Sequence, residues 1–129
     1  MGFDKKTLID YRIKRAKETV EEARIAIEND KLFNAENRIY YAIFYIVSAL
    51  SLKNDFSTSK HFHLMGWFNK NYVKTKKVSV EIGKIYFDAF EKRQKGDYED
   101  LKFFTMEEVQ TDFQSMLTFI AEIEKLIKS

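Results

Sequence analysis

The segment FNAENRIYYAIFYIVSALSLK, residues 33–53, decides the fold. Apart from Asn37, Arg38, Ser48 and Ser51 it is apolar on nearly every face of a helix. A helix of that kind belongs at the centre of a protein, with other elements packed all round it. Its apolar run IYYAIFYIVSALSL is broken by serines, preceded by Arg38, and well short of the ~20 residues a membrane crossing requires. The expectation is a buried helix and no membrane partner.

The flanking sequence supplies the partners for such a helix. From about Asp4 to Asn29, Ile9, Ile13, Ala16, Val20, Ala23 and Ile27 recur at steps of three and four with charged residues between them, the pattern of a long amphipathic helix. After residue 53, Ser57, Thr58 and Ser59 are N-cap candidates for a third helix that places His61, Leu64, Met65, Phe68 and Tyr72 on one side. That helix ends in the basic segment NKNYVKTKK. A fourth is expected from about Ser79 to Lys95, stopping before Gly96 in a left-handed C′ position. Thr105 with Glu108 reads as a capping box ahead of a last helix carrying Val109, Phe113, Met116, Ile120 and Ile123. With no proline and four glycines in 129 residues, the chain lacks the punctuation that sheets and hairpins need. The expected fold is all-α, an up-and-down bundle of about five helices forming a single domain over residues 1–129.

Composition narrows function only by exclusion. No cysteine means no disulfide and no thiolate metal site, and no charged start followed by an apolar run marks a signal peptide, so a cytoplasmic location is the default expectation. A net charge of +2 neither demands nor excludes nucleic acid. There is no phosphate-binding glycine loop, nucleophile elbow or zincin motif.

A few polar residues stand out against this background. On the stripe Ile82, Ile85, Ala89 the next position is Arg93, a charge where the core should continue, with Asp97 and Tyr98 just beyond. Arg38, preceded by Asn37, opens the most apolar helix and must be paired, exposed or held for a ligand. Two arginines on inward-leaning positions, both able to fork onto phosphate oxygens, suit a nucleotide or an RNA backbone. A helix-end arginine satisfied by Asp97 fits the sequence equally well. His61 and His63 diverge by about 200° on a helix and lack a completing carboxylate, so no metal is expected there. His61, next to Lys60, is a general-base candidate if the fold carries it to Arg93. Lys70, Lys74, Lys76 and Lys77 with Tyr72 between them combine charge and stacking surface as single-stranded RNA prefers, although such runs are commonly solvated loops.

Three segments taken together, ENRIYYAIFYIVSALSLK, STSKHFHLMGWFNKNYVKTKKV and FEKRQKGDYED, resemble the HEPN superfamily (higher eukaryotes and prokaryotes nucleotide-binding) in its small stand-alone prokaryotic branch. The resemblance spans roughly residues 5 to 127. It implies a helical bundle of four or five helices, a homodimer, and a toxin and antitoxin arrangement with a minimal nucleotidyltransferase as partner. Many such proteins are metal-independent ribonucleases that use an arginine and a histidine with four to six residues between them. Arg93 fills the arginine position, whereas Tyr98, Glu99 and Asp100 occupy the places open to the histidine. Catalysis is therefore left open by the resemblance, with Tyr98 or His61 as substitutes and Asp97 orienting Arg93. The reading carried forward is a dimer cleft binding RNA or nucleotide through Arg38, Asn37, Lys60 and Asp97, with Arg93, Tyr98 and His61 as candidate catalytic residues and no cofactor. The alternatives are a non-catalytic module that docks a nucleotidyltransferase and a bundle whose aromatic surface serves assembly alone.

Overall fold

A computed structural model of the chain describes residues 4–98 and 103–129, with side chains at all of these except 95–98. The described chain is α1 (Lys5–Glu28), α2 (Leu32–Lys53), α3 (His61–Phe68) running into a π-helical turn (Asn69–Val73), α4 (Val80–Tyr98) and α5 (Met106–Lys128). Among the described residues there is no strand, and the all-α bundle of five helices is the architecture.

α2 is the central element, packed against α1, α3, α4 and α5. Ile39, Tyr40, Ile43, Ile46, Val47 and Leu50 are buried almost completely. Each such side chain contributes roughly 1.5–3 kcal/mol relative to exposure, which is why a helix apolar on all faces is stable only here. Alanines at seven-residue steps, Ala16 and Ala23 on α1 and Ala35, Ala42 and Ala49 on α2, are fully buried and keep both helices slim. No described helix is long and apolar enough to cross a membrane.

The helix ends follow a local logic that departs from glycine punctuation. At the end of α1 the Lys31 N–H donates to the Ala26 carbonyl and the Asp30 N–H to Ile27, with Asp30 at φ 57°. At the end of α2, Phe56 and Asp55 donate to Ser51 and Leu52, with Asp55 at φ 61°. Both are Schellman stops built on aspartate. Gly96, the expected stop of the fourth helix, instead lies inside α4, which continues to Tyr98. A glycine permits a left-handed residue but does not impose one.

Two further expectations are corrected. Ser57, Thr58 and Ser59 do not cap α3; its N-cap is Lys60, whose backbone N–H donates to Thr58 Oγ1. Thr105 does cap α5 by accepting from the Glu108 N–H, but the Glu108 carboxylate turns to Lys92 of α4, 3.1 Å away. Electrostatic pairing between helices has displaced the return half of the capping box.

Candidate functional site

The first half of α2 presents two neighbouring tyrosines on which three basic groups converge. His61, the first residue of α3, stacks on Phe44 with ring centres 4.3 Å apart and on Tyr40 at 5.5 Å, and meets Tyr41 edge-on at 5.6 Å. From α4, the Arg93 guanidinium carbon lies 5.3 Å from the centre of the Tyr40 ring and 5.4 Å from that of Tyr41. Arg38 covers Tyr41 at 5.0 Å. Arginines placed over phenol faces gain cation–π attraction and carry N–H groups able to bond an anion. The charge at residue 93 thus interrupts the apolar stripe of α4 where that stripe meets this aromatic platform.

Tyr40 Oη and His61 Nδ1 are 2.6 Å apart. Burial, partly opposed by the charge of Arg93, raises the Tyr40 pKa well above the usual range, so its hydroxyl keeps its proton. His61 is shifted the other way: burial first, and the neighbouring Arg93 second, depress its pKa below 6.5. At neutral pH the pair is a neutral phenol and a neutral imidazole. With Tyr40 donating to Nδ1, the ring proton sits on Nε2 and can be given to an anion. With the hydroxyl turned, Nδ1–H donates to Tyr40 and Nε2 becomes a base.

The structure therefore brings His61 and Arg93 to one cluster, which residue spacing alone did not show. Arg38 adjoins them but is engaged, with Nη1 3.1 Å from Glu22 of α1 and its Nε and Nη2 donating to Asn37 Oδ1 at 3.1 and 2.8 Å. Asn37 faces Arg38 and positions it. Lys60 is exposed at the start of α3. Asp97 and Tyr98 belong to the last turn of α4, and their side chains lie outside the described residues. Tyr72, read from sequence as a stacking surface among lysines, is buried against Trp67 and Phe68 and accepts a hydrogen bond from Asn54, so no base can stack on it. The helix widens to π geometry around Tyr72, which turns the ring inward.

Sequence reasoning missed Tyr40 and Tyr41 as the platform, although their positions beside Arg38 carried the signal. It also missed a charge network behind them. Glu36 is 3% exposed, and Glu36, Glu108 and Asp112 bring carboxylate oxygens within 4.8 Å of one another. Lys92 Nζ bridges two of them, 2.6 Å from Asp112 and 3.1 Å from Glu108, so an ammonium already holds the place a cation would take. Burial, and then the hydrogen bond and charge of Asp112, push the Glu36 carboxyl up to about 10, so it is protonated at neutral pH.

Comparison with known proteins finds relatives of this chain. The HEPN domain family matches residues 9–127. The "UPF0332 protein" of Thermotoga maritima is 43% identical over 125 residues, covering 97% of this chain and 95% of that protein. Two proteins of Methanocaldococcus jannaschii are also similar. "Putative toxin MJ0142" is 33% identical over 71% of this chain and 68% of its own length. "Putative toxin MJ0605" is 30% identical over 93% of this chain and 89% of its own length.

Proposed function

Because the chain belongs to the HEPN family, we propose that it is a toxin-like protein that takes an RNA phosphate between Arg93 and His61 and cleaves the strand there without a metal. The observation that carries this reading is the meeting of a guanidinium and a neutral imidazole on the Tyr40 and Tyr41 rings. His61, delivered from α3, takes the part of the histidine that the α4 motif lacks. In the reaction, His61 Nε2 accepts the proton of the ribose 2′-hydroxyl while the 2′-oxygen bonds to phosphorus. The bond from phosphorus to the 5′-oxygen breaks, and that oxygen takes the proton back from His61. Arg93 stabilises the charge that gathers on the phosphoryl oxygens. Tyr40 holds the ring and lets Nδ1 carry the second proton when His61 is cationic.

The same reading makes the protein a homodimer whose contact is the apolar side of α3 and α4. Phe62 is 68% exposed, and Val80 and Phe87, seven residues apart on α4, are 71% and 46% exposed. Phe62 also touches Phe90, one turn of α4 before Arg93, so a second copy seated there would border the cluster. This exposed stripe equally favours the second reading, a non-catalytic module docking a nucleotidyltransferase.

The test is cleavage of a mixed RNA pool in chelator by wild type, Arg93→Ala and His61→Ala, each confirmed as helical. Expected are 2′,3′-cyclic phosphate ends from wild type and losses of about 10²-fold or more in either variant. Wild type that binds RNA through Arg93 yet leaves it uncut would favour the docking module. RNA affinity indifferent to Arg93→Ala would remove the phosphate site altogether.

A further inference from the structure

Beside His61, the first half of α1, the second half of α2 and the connection between α2 and α3 line a cavity of about 410 Å³. Arg12 and Arg15 line it, with no carboxylate in its wall. Arg15 is held in place, its guanidinium 3.1 Å from Glu18 and 5.0 Å from the Tyr45 ring centre. Arg12 is half-buried and forms no hydrogen bond or ion pair with any described residue. A partly desolvated guanidinium with no acid beside it is a standing attraction for an anion. Ser57, Thr58 and Ser59 also line it, three hydroxyls of the kind that bond phosphate oxygens. Tyr11, 57% exposed, offers an open ring on the same wall as Arg12.

Two arginines, hydroxyls and an open aromatic ring round a cavity of this size match a group that is both anionic and flat. We infer that this cavity binds a nucleoside phosphate, the phosphate between Arg12, Arg15 and the hydroxyls of residues 57–59 and the base against Tyr11. His61 lines the cavity and also pairs with Tyr40, over whose ring Arg93 lies, so one imidazole is common to the two sites. The nucleoside phosphate is then either a free nucleotide or one residue of a strand whose next phosphate reaches Arg93. Only the strand form rests on the function proposed above.

The experiment is titration of the full chain with AMP, ADP and a single-stranded pentaribonucleotide, followed by NMR at the His61 ring and by calorimetry. Variants are Arg12→Gln, Arg15→Gln, Tyr11→Ala and Arg93→Ala. The expected result is binding weakened tenfold or more by Arg12→Gln and Arg15→Gln, less by Tyr11→Ala, with a shift of the His61 signals in wild type. Mononucleotide binding indifferent to Arg93→Ala assigns the free nucleotide. Binding of the pentanucleotide alone, sensitive to both Arg12 and Arg93, assigns the strand. No binding of any probe, or binding unchanged in both Arg12→Gln and Arg15→Gln, overturns the inference. RNA cleavage that still depends on Arg93 would leave the proposed function standing in that event.

Discussion

Glu36 is the only acid on α2, and the fold buries it two positions before Arg38 without harm because it stays protonated against Asp112. An acid whose folded pKa is raised adds most to stability below its ordinary 4.5, and that contribution is lost as pH rises toward about 10. Glu36→Gln keeps the shape and removes the titration. Thermal melts from pH 5 to 9 should show wild type losing ground to the variant by up to about 1.4 kcal/mol per pH unit, and parallel curves would contradict the buried neutral carboxyl. His61 carries the opposite sign. Its folded pKa lies below 6.5, so its contribution is intact above that value and is lost as pH falls through the folded pKa. NMR titration should find His61 below 6.5, and Arg93→Gln should raise it only in part, because burial is the larger cause. A His61 pKa unmoved by Arg93→Gln would mean that the two groups do not meet.

At the scale of elements, the two helical glycines with described surroundings predict opposite outcomes. A Cβ built on Gly83 of α4 would come within 2.8 Å of Val73 Cγ2 and 3.3 Å of Cγ1, since the π-helical turn presses that branched side chain against α4. Gly66 of α3 meets nothing within 4 Å. Gly83→Ala should therefore destabilise by about 1–3 kcal/mol less the gain in helix propensity, and Gly66→Ala should stabilise by about 0.5–1 kcal/mol. Urea unfolding of the two variants checks both signs, and a stabilised Gly83→Ala would show the α3 to α4 contact to be loose. The same elements explain what periodicity read and what it missed. Stripes of 3.6 residues placed all five helices, but a π turn adds a residue to the cycle, and aspartates rather than glycine supply the two Schellman stops. Two of these features meet other elements, Val73 of the π turn at Gly83 and Asp55 at Lys5 of α1.

At the scale of the whole molecule, the apolar stripe of Phe62, Val80 and Phe87 is the place where assembly can be tested without replacing a residue of the cluster. Phe62→Asp should shift the protein from dimer to monomer in sedimentation at micromolar concentration while its helical content stays unchanged, since the ring is mostly outside the core. A wild type that sediments as a monomer at 100-fold higher concentration would end the dimer proposal. RNA cleavage falling in step with dimer loss would tie the cluster to the interface.

By itself the sequence determined the helical class, the central place of α2 and the exceptional character of Arg93 and Arg38. Composition and apolar period are local quantities, and an all-round apolar helix has one stable setting. Only the tertiary structure decided which groups meet: His61 with Arg93 across the Tyr40 and Tyr41 rings, Glu36 with Asp112 and Lys92, and Arg12 and Arg15 round one cavity. The first two join residues from different helices, and the third sets two arginines of α1 against α2 and the connection that follows it; the rotation and crossing of helices are set by packing that no single segment encodes.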